Sequence, residues 1–147
     1  MPCAFTLDLP RSLVLSRCWG VVRDCELLAH VDQLATDPNF VPNFKQLVDM
    51  RDVTDVQVCS ETIHEMAKLN PHKDGSRRAL VVNSDIVFGM ARMYEILLED
   101  SPNELQIFRE IDEAFEWLGI ATAKDELLLA IANSTAITDD SRSHANE

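Results

Sequence analysis

Residues 77–119 read RRALVVNSDIVFGMARMYEILLEDSPNELQIFREIDEAFEWLG, and this stretch decides the fold. Two short apolar runs, Ala79–Val82 and Leu105–Phe108, each lead straight into a helical pattern. The first run is β-branched and apolar at successive positions, and it is too short for a helix. That is how a strand buried on both faces of a parallel sheet reads. Asn83 or Ser84 follows as an N-cap, a side-chain oxygen able to accept from an unpaired backbone N–H. Ile86, Met90, Tyr94 and Leu97 then recur at spacings of three and four, which predicts one buried face. Ser101, Pro102 and Asn103 break the chain before the second strand. Ile111, Ala114, Phe115 and Leu118 stripe the second helix, and Gly119 is its expected C-terminal cap. Strand–helix–strand–helix at this spacing predicts crossover connections in an α/β sheet.

Outward from this stretch the same alternation continues. Ala4–Leu9 and Leu13–Trp19 read as two antiparallel strands joined by Pro10-Arg11-Ser12, with Gly20 marking the exit of the second. Asp24 is the expected cap of a helix striped by Leu27, Leu28, Val31, Leu34 and Ala35. Phe44–Met50 reads as a third strand, Val53–Val58 as a loop or short turn, and Cys59 or Ser60 as the start of a helix with Ile63, Met66 and Ala67 inward. Asp74-Gly75 forms a turn into Ala79–Val82. After Gly119, Thr122–Asn133 reads as a terminal helix. The expected order is β-β-α-β-α-β-α-β-α plus that C-terminal helix, a five-stranded mixed sheet flanked by helices. Residues 1–133 form one domain, and 134–147 read as a polar, flexible tail.

The chain has 147 residues, 46% of them hydrophobic, and a formal net charge of -12. That is enough sequence for a substantial core. The acidity opposes contact with nucleic-acid phosphates and with anionic membranes. No apolar run approaches the length of a membrane span, and the N-terminus lacks a basic region followed by an apolar one. The four cysteines, Cys3, Cys18, Cys25 and Cys59, form no CxxC pair. Four reduced thiols in a cytoplasmic protein, with no cofactor and no metal, is the expectation.

The order of elements, Gly20 after the second strand, Asp49 closing the third, and the ending LQIFREIDEAFEWLG resemble the SpoIIAA-like proteins, which share the fold of STAS and Sec14-type domains. The resemblance covers roughly Phe5 to Gly119, and its most specific part runs from Arg78 to the closing Ala114, Trp117 and Leu118. It implies a small binding or regulatory module. STAS antagonists are switched at a serine in an Asp-Ser-Ser-Gly-like segment after the third strand. The matching residues here, Asp52 to Gln57, contain Thr54 and Asp55 but no Ser-Ser-Gly, so the resemblance implies no such switch. Sec14-type relatives bind lipids, which makes an apolar-ligand carrier the alternative.

Open α/β sheets bind ligands beyond the carboxyl ends of their strands. Asp49 and Arg51, Asn83 and Ser84, and Arg109 fall at three such ends and are the candidate ligand or partner residues. Capping and turn charges account for the same residue types. Cys25 lies in a first helical turn between Asp24 and Glu26 with no base beside it, so it reads as a structural thiol. His30 and His64 have ordinary solvated neighbours, and Lys73, Arg77 and Arg78 balance acidic helices. Phe88 and Trp117 lie off the core stripes, which predicts a covered surface: either a homodimer contact that uses Phe88, Trp117, Leu127 and Ile131, or the terminal helix folded back over Trp117 and Phe88 within one chain. The leading expectation is a non-enzymatic binding module acting through a protein partner or a small ligand. A deep apolar cavity would favour the carrier, a surface patch without one would favour the partner, and convergence of Asp49, Ser84 and a thiol would favour an enzyme.

Overall fold

The computed structural model describes residues 2–73, 76–99 and 104–133. The strands are β1 (Cys3–Asp8), β2 (Leu13–Arg23), β3 (Lys45–Gln57), β4 (Arg77–Val82) and β5 (Glu104–Phe108). Between and after them come α1 (Asp24–Thr36), α2 (Ser60–Leu69), α3 (Asp85–Leu97) and α4 (Ile111–Leu118). A 3₁₀ turn over Ala121–Ala123 leads into α5 (124–133). The strands lie in chain order, β1-β2-β3-β4-β5. β1 runs antiparallel to β2, and the other pairs are parallel. The mixed five-stranded sheet with its antiparallel edge strand is as the sequence predicts. The expected turn at Asp74-Gly75, the break at Ser101–Asn103 and the tail at 134–147 lie outside the described residues.

Strands in chain order, joined by right-handed crossovers, send every crossover helix over the same face. Accordingly α1, α2 and α3 all pack on the face that presents Cys18, Val22, Val48, Leu80 and Val82. The opposite face, with Leu13, Leu15, Leu47, Ala79 and Val81, is left to α4 and α5. α4 alone spans eight residues, too few to cover it. Leu127 and Ile131 of α5 complete the layer and are 1% and 3% exposed. These two residues are therefore core, not an open surface for a second copy.

Five further expectations are corrected. Val53–Val58 is not a loop. β3 runs through Gln57 and stays paired to β2 as far as Arg23. Gly20 does not end β2 but lies within it at φ +66, next to a register shift. Glycine takes that conformation without strain, and the bulge lets the strand continue. Asp24 does not cap α1, whose N-cap is Arg23; its Oδ1 instead accepts from the Cys59 backbone N–H at the start of α2, at 3.0 Å. On α3 the buried residues are Val87, Ala91 and Tyr94, followed by Leu98. Ile86 and Leu97 face outward, and on α1 Ala35 is exposed while His30 is buried.

Because α5 seals one face of the sheet, Leu127→Ala should lower unfolding free energy by about 2–5 kcal/mol, the usual cost of a buried leucine cavity. Chemical denaturation measures it, and a midpoint equal to the parent's would show that α5 is dispensable.

Candidate functional site

The strand-end residues come together but satisfy one another. Asp49 is 2% exposed and receives Arg51 Nε at 2.9 Å and Nη2 at 3.0 Å. That pairing, ahead of other nearby carboxylates, raises the Arg51 pKa. Asn83 Nδ2 donates to the Arg51 carbonyl at 3.3 Å, and Ser84 Oγ accepts from Val87 N as the cap of α3. Arg109 pairs with Asp85 at 2.8 Å and lies over the Phe88 ring, 4.7 Å from its centroid. Trp117 is half-buried between Phe108 and the Arg77 guanidinium. The rim is thus a line of caps and ion pairs. Cys25 and Cys59 are exposed, and the segment Asp52 to Gln57 is strand rather than the start of a helix.

The feature with room for a ligand lies elsewhere. A cavity of about 110 Å³ opens between the sheet and α1, α2 and α3. α2 packs on α1 and α3 more than on the sheet, which leaves the space beneath it. The extension of β2 and β3 past the end of β4 supplies one wall through Val22, Val53 and Val56. Val48, Met50 and Leu80 form the floor, and Ile63, Val87 and Ala91 the roof. A dry apolar cavity of about 150 Å³ binds benzene; this one is smaller but partly open, a space on the scale of a small apolar body.

One part of the lining is polar: His30, Gln46, His72, Arg78 and Tyr94. Gln46 and Arg78 are neighbours in register across β3 and β4, with side chains on the cavity face. Arg78 Nε donates to Gln46 Oε1 at 3.0 Å, and Nη1 donates to Tyr94 Oη at 2.9 Å and Asn70 Oδ1 at 3.2 Å. Gln46 Nε2 donates to Ser16 Oγ at 2.9 Å, and Ser16 Oγ lies 3.2 Å from His30 Nε2. His30 Nδ1 is buried and has no hydrogen-bond partner among the described residues. His72 Nδ1 sits 3.2 Å from the Phe44 carbonyl, which Ser76 Oγ also reaches at 2.8 Å. His30 is therefore not the solvated side chain that its neighbours in sequence suggest, and Arg78 is not a surface counter-charge. The readable signal was polar Ser16, Gln46 and Arg78 set directly beside the apolar runs of β2, β3 and β4.

Burial, and then the Arg78 charge, push His30 down to about 4 and His72 down to about 2. Both rings are neutral at pH 7. Cys18, also in the lining, lies 3.0 Å from Cys3 Sγ across the β1–β2 pair. That contact first, and burial second, raise its pKa, so it stays a thiol rather than a nucleophilic thiolate. Among the described residues no group of three or more His, Cys, Asp or Glu is placed to hold a metal ion. No helix among them is long and apolar enough to cross a membrane.

No protein-family model matches the chain, and no curated protein matches it. Among solved structures it is similar to an uncharacterised protein of the DUF3478 family from Shewanella loihica PV-4, which has a SpoIIAA-like fold. The two share 17% identity, the match covers 79% of this chain and 93% of the other, and the TM-score is 0.50. The fold is SpoIIAA-like, as the resemblance in the sequence implies.

An unfolded histidine titrates near 6.5. Below that pH the unfolded chain binds protons that buried His30 and His72 refuse, so their contribution to stability, complete above 6.5, is lost as pH falls toward 4. Each should add a slope of about 1.4 kcal/mol per pH unit across that window. Urea denaturation of wild type and His30→Asn between pH 6 and 4.5 should show the variant's slope smaller by about one proton. Equal slopes would mean that His30 is already protonated in the fold.

Proposed function

We propose that this protein is a non-enzymatic binding module that holds a small apolar ligand in the cavity between its sheet and α1, α2 and α3. The cavity itself carries this reading, since it is walled by apolar side chains from three strands and three helices. The strand-end residues support it by default, because their side chains are engaged in caps and ion pairs with one another. The thiol in the lining, Cys18, is kept protonated, and the Ser16 hydroxyl that lies 3.2 Å from His30 Nε2 is fully buried, outside the lining, and already accepts from Gln46. Of the expectations drawn from the sequence, this reading takes the carrier over the strand-end ligand site.

Binding to the folded state alone raises the melting temperature. Saturating benzene should raise that of wild type by a few degrees and leave Ala91→Phe, whose ring would fill the cavity, unmoved. Native mass spectrometry of protein from its own host should show a small retained mass that the variant lacks. No benzene shift in the wild type would refute the cavity as a binding site.

Self-association is the second reading, and α3 favours it. Ile86, Met93, Ile96 and Leu97 are 67%, 38%, 53% and 38% exposed, and they recur on the side of the helix away from Val87 and Ala91. A second copy is the occupant that a homodimer would bring, its contact apolar because like charges on two such acidic chains repel. Sedimentation velocity should give a dimer for wild type and a monomer for Ile86→Glu/Ile96→Glu. A wild-type monomer at high micromolar concentration would end this reading.

A further inference from the structure

The polar end of the cavity has an unbalanced hydrogen-bond account. The Arg78 guanidinium is always charged and carries five N–H donors. Its partners, Gln46, Asn70 and Tyr94, are all neutral acceptors. Among the described residues no carboxylate pairs with it, and its Nη2 has no protein acceptor. A guanidinium buried to 7% exposure without a counter-charge is costly.

The charge also sets the direction of the hydrogen bonds beyond it. Arg78 Nε–H fixes the Gln46 amide with its oxygen toward the guanidinium, so Gln46 Nε2 donates to Ser16 Oγ. The Ser16 hydroxyl hydrogen is then left for His30 Nε2, the acceptor within reach. A neutral imidazole that accepts at Nε2 carries its proton on Nδ1. His30 Nδ1–H is the buried atom with no partner. Tyr94 Oη accepts from Arg78, which leaves the phenol hydrogen to donate. Arg78, Tyr94 and His30 all line the same cavity, and what each has left to offer is a donor.

We propose that the cavity takes a small apolar monocarboxylate, its carboxylate received by Arg78, Tyr94 and His30 and its apolar body packed on Val48, Leu80 and Val87. The assignment rests on the cavity reading above and sharpens it. A cation would meet Arg78 with like charge. A neutral alcohol would leave the guanidinium uncompensated. A phosphate would bring a second charge and a hydration shell into a lining that is otherwise apolar.

The test is calorimetry on the full chain at pH 7 with four probes: phenylacetate, hexanoate, 2-phenylethanol and phenethylammonium. Phenylacetate or hexanoate should bind at least about tenfold more tightly than the alcohol, the scale of a hydrogen bond to a charged group, and the ammonium should not bind. Which acid binds better separates an aromatic from an alkyl ligand. Tyr94→Phe keeps the ring and removes the donor, and should weaken the acid about tenfold while leaving the alcohol unchanged. In proton–nitrogen spectra the His30 Nδ1–H resonance should shift on adding the acid. Arg78→Met should abolish acid binding; should that variant fail to fold, the Tyr94→Phe and spectral results decide alone. Equal affinity for phenylacetate and 2-phenylethanol would overturn the carboxylate assignment. So would binding of neither acid while benzene still stabilises the fold, an outcome that leaves the apolar cavity standing. Loss of the benzene effect itself refutes the cavity.

Discussion

Laying four parallel strands side by side in chain order commits every right-handed crossover to one face of the sheet, and the rest of the molecule follows from that commitment. Three helices share one face, the other starts bare, and α4 with α5 must cover it. The constraint explains why a segment beyond the second strand–helix unit is core: Leu127 and Ile131 fill space that no crossover helix reaches. It also explains the cavity. Three helices on one face of a five-stranded sheet need not all lie flat, and α2 bridges α1 and α3 instead.

The space under α2 is shaped by two departures from regular structure. The Gly20 bulge lets β2 continue, and β3 continues beside it to Gln57, past the last residue of β4 at Val82. The valines of this overhang close the cavity at a level where the sheet would otherwise have ended. The Asp24 carboxylate, accepting from Cys59 N, ties the start of α2 to the start of α1 and keeps the overhang and the helix layer in register.

Within that apolar space the polar cluster is held by register rather than by loops. Gln46 and Arg78 stand side by side on adjacent strands, and Ser16 lies one strand further. Strand positions are more rigid than loop positions, and a low-dielectric surround strengthens each hydrogen bond while making each unspent donor costly. The arrangement is expensive in a way that an all-apolar core would not be.

Sequence alone determined the order of elements, the sheet class, the antiparallel edge strand and the cap at Gly119, and narrowed the cap of α3 to Asn83 or Ser84, because these depend on local periodicity and on backbone preferences of single residues. It could not choose between two stripes on α3. Ile86, Met90, Tyr94 and Leu97 and the buried set Val87, Ala91, Tyr94 and Leu98 recur at similar helical spacing, sharing Tyr94 and otherwise one residue apart, and only contact with the sheet and α2 selects the second. Nor could it extend β3 through Arg51 and Asp52, whose charges suit a turn until Asp49 and Arg17 are present to pair them. The candidate site was the least legible part. Ser16, His30, Gln46, Arg78 and Tyr94 are scattered over 79 positions of the chain, and each alone reads as surface, solvated neighbour or stripe. Parallel pairing puts Gln46 beside Arg78, and the shared crossover face brings His30 and Tyr94 down onto them. Those contacts are long-range, so tertiary structure decided them.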